Sequence, residues 1–186
     1  ETLGGALHPA SSEGAQSATE FLHGVEPAGA SDLVAQVRAA TRAVTADPTR
    51  DLRVVYLGDG ASTVGYRRPD HLAAEVGALF RGQRATLTAV ALGTDADTTA
   101  LRTLARAGGG TMVPYVPGER VNDAALGLLE ATYGVALRDP VIELPAGLTA
   151  VAPAKLGSMR AGSETLVIAR MNGQDVSGEA VLRGTV

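Results

Sequence analysis

The chain reads as an α/β protein with a doubly wound, mostly parallel sheet, followed by a small C-terminal β-rich module. Three observations carry this expectation. Short apolar runs at Val54–Leu57 and Thr86–Leu92 are each followed by a polar loop and then by apolar residues at helical spacing. Such alternation implies crossover connections, which make strands parallel and put helices on both faces of the sheet. After Arg138-Asp139-Pro140 the texture changes to short β-rich runs. The expected division is therefore residues 1–138 for the α/β part and 139–186 for the β module.

Each element has its own local reason. Ala18, Phe21, Leu22 and Val25 fall at helical spacing, which predicts a helix from about Glu13 to Gly24, with Gly24 as its stop. Ser31 or Asp32 can cap the next helix by accepting orphan backbone N–H groups. That helix shows Leu33, Val34, Val37 and Val44 on one side and ends before Pro48. Val54-Val55-Tyr56-Leu57, apolar on both faces, reads as a buried parallel strand ended by Gly58-Asp59-Gly60. Pro69-Asp70 opens a helix lined by Leu72, Val76, Leu79 and Phe80 and closed by Gly82. Thr86–Leu92 is the second strand. Leu101 and Leu104 mark the following helix, which stops at Gly108-Gly109-Gly110. Thr111–Val116 is a third strand, placed at a sheet edge because Pro114 cannot donate to the ladder. Val121, Ala125, Leu128, Leu129 and Thr132 mark the last helix. Beyond it, strands are expected at Val141–Leu144, Leu148–Val151, Thr165–Arg170 and Ala180–Val186, with a hairpin signal at Asn172-Gly173.

Composition narrows the function. Hydrophobic residues make up 45% of the 186 and charged residues 19%, so the chain can fold around a core. Aromatic residues are only 3%, and the core must come from Ala, Val and Leu. The net charge is −4 and the arginines are scattered, which argues against a nucleic-acid surface. The absence of Cys excludes disulfides and thiolate metal sites and leaves the compartment open. No apolar run reaches the length of a membrane span, and no signal-peptide pattern is seen. The first residue is Glu1 rather than Met, as in a processed or trimmed chain.

Several motifs together resemble von Willebrand factor A-type domains. Leu22-x-x-Val25-x-Pro27-Ala28-Gly29-Ala30-Ser31-Asp32-Leu33 is similar to the family's second metal motif, usually Gly-Gly-Thr-Asp/Asn and an apolar residue. Val54-Val55-Tyr56-Leu57-Gly58-Asp59-Gly60 resembles the third, an apolar strand ending in Thr-Asp-Gly. Ala61-Ser62-Thr63-Val64-Gly65 resembles the loop of the subgroup that includes inter-alpha-trypsin inhibitor heavy chains and bacterial relatives. Thr88–Gly93, Leu101-x-x-Leu104-Ala105 and the glycine triplet resemble that family's next strand, helix and turn, and the likeness runs over about residues 7 to 137. The β-rich tail resembles the region that often follows the A domain in the subgroup.

The resemblance implies an adhesion or interaction module rather than an enzyme. It implies a sheet in strand order 3-2-1-4-5-6, of which this chain supplies strands four to six, the C-terminal half of the domain. Strand four, Arg53 to Leu57, would then lie at an open edge where strand one belongs. That edge would take an N-terminal fragment of the same protein, a second copy of the chain or a protein partner. The family's metal-ion-dependent adhesion site uses three loops. The first, Asp-x-Ser-x-Ser, does not occur in this sequence. By resemblance Ser31 offers a hydroxyl and Asp59 a carboxylate acting through water. A family threonine is replaced by Ser31 and another by Gly58. Mg²⁺ wants near-octahedral oxygen ligation, so it is expected only with the first loop present. The resemblance also favours an extracytoplasmic or cell-surface location.

Plainer readings stand beside these. Asp59 between two glycines can be a turn residue bonding its own backbone, and Ser31 can be a plain helix cap. Ser62, Asp70 and His71 suggest a hydrolase triad, but the Gly-x-Ser-x-Gly elbow is missing. His8 and His23 are isolated and read as surface residues. Gly108-Gly109-Gly110 follows a helix and precedes a strand, the reverse of a phosphate cradle, and reads as a helix stop.

Overall fold

The computed structural model of the protein describes residues 8–26, 28–42, 50–154, 156–161, 164–173 and 175–186. Its first part runs α1 (Ser12–Gly24), α2 (Leu33–Arg42), β1 (Leu52–Gly58), α3 (Pro69–Phe80), β2 (Ala85–Ala91), α4 (Thr98–Ala107), β3 (Met112–Pro114) and α5 (Val121–Tyr133). The three strands form a parallel sheet in the order β1-β2-β3. The doubly wound α/β expectation holds. The expected positions of Pro27, Val44 and Pro48 lie outside the described residues.

Every residue of β2 is buried, as the small and β-branched run Ala-Thr-Leu-Thr-Ala-Val-Ala allows. On one face Leu87, Ala89 and Ala91 join Val54 of β1 in a core with Leu33, Val34 and Val37 of α2, Leu72 and Val76 of α3 and Leu101 and Leu104 of α4. Each fully buried Leu or Val there contributes about 1.5–3 kcal/mol of transfer free energy. Gly110 lets this layer close, because a Cβ on it would fall on the Leu87 carbonyl. The glycine triplet is thus a helix stop, with the Gly108 N–H donating to the Leu104 carbonyl at 3.1 Å.

The other face is thinner. α5 crosses it, and Thr132 is the only fully buried residue of that helix. Its Leu126, Leu129 and Tyr133 are exposed. Val55 and Leu57 of β1, whose side chains alternate to this face, are 37% and 60% exposed.

β1 is an edge strand among the described residues. The Leu52 N–H donates to the Arg84 carbonyl and the Gly58 carbonyl accepts from Leu92 N–H, so the even-numbered residues face β2. Backbone alternation turns the N–H and C=O groups of Arg53, Val55 and Leu57 outward. At the opposite edge β3 is shorter than the expected Thr111–Val116. Pro114 stands opposite Ala91, and Tyr115 N–H makes a last bond to the Ala91 carbonyl at 3.0 Å.

The C-terminal strands are antiparallel. β4 (Ala136–Glu143) lies between β6 (Met159–Arg160) and β8 (Val181–Thr185), while β5 (Leu148–Ala152) pairs with β7 (Ile168–Met171). β4 starts earlier than the texture change suggested, and its register shifts between Arg138 and Val141. Asp139 there has φ 46 and Pro140 has no N–H, which suits a bulge rather than a strand start. Among the described residues no strand follows Asn172-Gly173 closely enough to close the expected hairpin. Asn172 instead serves the β5 pairing, its N–H donating to the Gly147 carbonyl and its side-chain amide to Thr149 Oγ1.

The two faces predict different responses to truncation. Leu101→Ala, at a fully buried position, should cost about 2–5 kcal/mol in urea unfolding. Leu129→Ala, on the outer side of α5, should change stability by less than about 0.5 kcal/mol. Equal losses would mean that the α5 face is as tightly packed as the other.

Candidate functional site

The candidate site lies where β1 gives out. Its loop, residues 59–68, meets the segment before α2, and the two are stitched together. The Ser31 N–H donates to Thr63 Oγ1 at 2.8 Å. The Ser31 carbonyl accepts from the N–H groups of Thr63 and Val64 at 2.9 and 3.1 Å. Ser62 Oγ lies 3.1 Å from that same carbonyl and 2.8 Å from the Val64 carbonyl. The sequence drew attention to Ser62 only as a triad candidate and to Thr63 only as part of a loop; that their hydroxyls hold this junction was not legible, because their partners lie some thirty residues away.

Within this frame the cap belongs to Asp32. Its Oδ1 accepts from Ala35 N–H at 3.0 Å at the start of α2. Its carboxylate packs over Gly65, which at φ 76 leaves room for it. Ser31 is half-buried, and its Oγ makes no hydrogen bond among the described residues. The plain-cap reading of Ser31 therefore yields to its neighbour.

Asp59 is exposed. Its Oδ1 accepts from Ala61 N–H at 2.9 Å, the self-bonded turn of the plainer reading. Its carbonyl accepts from Asp97 N–H at 2.7 Å, which ties the loop to the start of α4, where Asp97 Oδ1 caps Ala100 N–H. Gly60 is buried at φ 75, and a Cβ there would stand 2.7 Å from Leu101 Cγ. The turn that presents Asp59 is thus pinned from below by the core.

Tyr56 is a site neighbour that its place in an apolar run concealed. A Cβ at Gly58 would stand 2.7 Å from the Tyr56 hydroxyl. The phenol occupies the space beside the position where the family pattern has a threonine. Burial, and then the nearby Asp59 charge, push its pKa above the ordinary 10.0, so at neutral pH the group is an uncharged hydroxyl.

Other candidates do not converge. Asp70 pairs with Arg68 at 2.9 Å and lies 3.8 Å from His71 Nε2. Ser62 instead reaches the backbone carbonyls of Ser31 and Val64. His8 is exposed, and His23 sits in the last turn of α1. Among the described residues no group of three or more His, Cys, Asp or Glu side chains is placed to hold a metal ion. Ser31 and Asp59 bring one hydroxyl and one carboxylate to the same loop cluster. Such a set fits part of a hard-cation shell but falls well short of the six oxygens that Mg²⁺ takes.

The division of labour between adjacent residues can be measured. Asp32→Ala should lower stability by about 1 kcal/mol through loss of the cap. Ser31→Ala should leave the urea midpoint nearly unchanged. A larger loss at Ser31 than at Asp32 would reverse the assignment.

Comparison with known proteins bears on the fold. One solved structure, described as von Willebrand factor type A from Catenulispora acidiphila, superposes with a TM-score of 0.57 at 21% sequence identity. The alignment covers 96% of this chain and 43% of that one, so the chain spans less than half the length of the protein it resembles. That likeness concerns the fold. No curated protein matches the chain. Residues 6–113, more than half of the sequence and including β1, β2 and the first two residues of β3, match the von Willebrand factor type A domain, and the chain belongs to that family.

Proposed function

We propose that this chain is a protein-interaction module whose loop cluster at the C-terminal end of β1 contributes part of a divalent-ion site. Domains of this family generally mediate protein–protein interaction. In this reading Ser31 offers its hydroxyl and Asp59 acts mainly through water. The ion would complete its shell with a loop of Asp-x-Ser-x-Ser type and with a carboxylate from the partner. The supporting observation is that the core fixes the Asp59 turn, through Gly60 against Leu101, while leaving the Asp59 side chain exposed and the Ser31 Oγ unbonded among the described residues. The C-terminal end of a parallel strand is also where α/β sheets place their ligands. No catalytic role is proposed. An extracytoplasmic or cell-surface setting accompanies this reading, as does a division into an α/β part, residues 1–138, and a β module, residues 139–186.

The alternative is a scaffold or assembly domain without a working ion site. It is favoured by the Asp59 oxygen already bonded in its own turn. Titration with Mn²⁺ separates the two. The chain alone should bind weakly. A longer form carrying an Asp-x-Ser-x-Ser loop should bind tightly, and Asp59→Ala should remove that binding while changing stability little. If tight binding survives the substitution, Asp59 is not part of an ion site. If neither form binds, the scaffold reading stands.

The edge of β1 is the surface proposed for assembly. It exposes Val55 and Leu57 beside outward-turned backbone groups, a pattern that invites another strand, whether from the same protein, a second copy or a partner. In dilute solution the amides of Arg53, Val55 and Leu57 should exchange quickly with solvent, while those of Leu52, Val54 and Tyr56 stay protected. Protection of both sets would sink the open-edge reading.

A further inference from the structure

Tyr56 and Gly58 stand two residues apart at the tip of β1, so their side-chain positions share one face of the strand. The Tyr56 side chain leans along the strand and lies across Gly58. A Cβ on Gly58 would stand 2.7 Å from the phenol oxygen, 3.0 Å from Cζ and 3.1 Å from Cε1. We propose, resting on the ion-site reading above, that Tyr56 is a positioning residue for Asp59, and that residue 58 is glycine because the Tyr56 ring fills the space of a side chain there.

Gly58 has no conformational need to be glycine. Gly60 and Gly65 sit at φ 75 and 76, where a side chain is strained, but the φ of Gly58 is not in that region. It ends a regular strand, in register with Ala91. What a side chain at 58 would meet is the phenol. Packing does not call for a tyrosine at 56 either. Its companions in the run, Val54, Val55 and Leu57, are aliphatic, and Tyr56 is only half-buried against the core. An aliphatic side chain would serve that burial. The hydroxyl is the part that reaches the loop.

There the phenol acts on both sides of Asp59. Its ring covers Gly58, and the backbone N–H of Gly60 donates toward its oxygen. Asp59 therefore sits between two residues tied to one side chain. Gly60 cannot give way downward, since it is buried and packs on Leu101. Two further bonds complete the hold: Asp59 Oδ1 accepts from Ala61 N–H at 2.9 Å, and the Asp59 carbonyl accepts from Asp97 N–H at 2.7 Å. Asp59 Oδ2 has no hydrogen-bond partner among the described residues, and it is the oxygen left for a ligand. Its direction matters, because Mg²⁺ accepts oxygens only near octahedral geometry. Groups that do not touch an ion themselves commonly orient those that do.

Titration of the full chain with terbium(III) tests this role. Terbium is a hard, oxygen-seeking cation that emits visible light when a tyrosine close to it is excited. The chain has four tyrosines and no tryptophan to add a second source. Saturable emission that is lost in Asp59→Ala is expected. Tyr56→Phe keeps the ring and removes the hydroxyl. It should lower the terbium affinity read by calorimetry roughly threefold to tenfold, the range that one hydrogen bond spans, with the far-ultraviolet circular dichroism unchanged. The sensitised emission should fall with it, whereas Tyr66→Phe, in the same loop, should leave most of the emission in place. Gly58→Ala should also weaken binding by displacing the ring, and should lower the urea midpoint less when Tyr56→Leu accompanies it. Terbium bound with equal affinity by Tyr56→Phe, or emission lost in Tyr66→Phe instead, would overturn the inference and leave the ion site standing. No saturable binding by the unaltered chain would remove the ion site and this role with it.

Discussion

The arrangement depends on β2 being buried on both faces and paired on both edges. A strand with no solvent contact cannot carry charge and must hand every backbone group to a neighbour. Its run of Ala, Thr, Leu and Val meets the first demand, and β1 and β3 meet the second. The small side chains also draw α4 close, so that Gly110 touches the Leu87 carbonyl and Leu101 reaches up beneath Gly60. The functional loops inherit their positions from this packing.

Much of the parallel sheet was legible because its strands are apolar runs, a signature that owes little to distant context. Val54–Leu57 and Thr86–Leu92 were placed within two residues, and Pro114 marked an edge for a local reason, its missing donor. The C-terminal strands were harder to read. Their pairing is set by partners far along the chain, and their residues are mostly exposed, so alternation carries little information. Asn172-Gly173 shows the difficulty: a sound local turn signal was overridden by hydrogen bonds to Gly147 and Thr149. At the site, the Ser31 and Asp59 loops were legible as a pattern, but the choice of Asp32 as cap was not. Neighbouring residues with the same capping chemistry are separated only by backbone direction.

The two ends of the sheet are chemically unlike. Above, exposed Asp59, a hydroxyl and an uncharged phenol form a surface of acceptors and weak donors. Below, Arg53, Arg160 and Thr132 line a recess together with the Asp51 carboxylate. β1 joins the two within seven residues, Leu52 to Gly58. Its foot is anchored by arginine bonds and its tip by glycine turns, and between them its outer edge carries no ladder partner among the described residues.

The pairing of β4 sets an order of events for a growing polypeptide. β1 and β2 can meet as soon as α3 has formed between them, and β3 follows after one more helix. β4 instead waits for residues 181–185, since Val141 pairs with Arg183. Contacts between such distant positions form late, because a long loop must close before any bond rewards it. On a ribosome the parallel sheet would therefore be assembled while β4 still has one side open. A chain halted before Val181 would lack the strand that pairs this side of β4 and would display an unpaired β4 margin, the kind of surface that chaperones and proteases recognise.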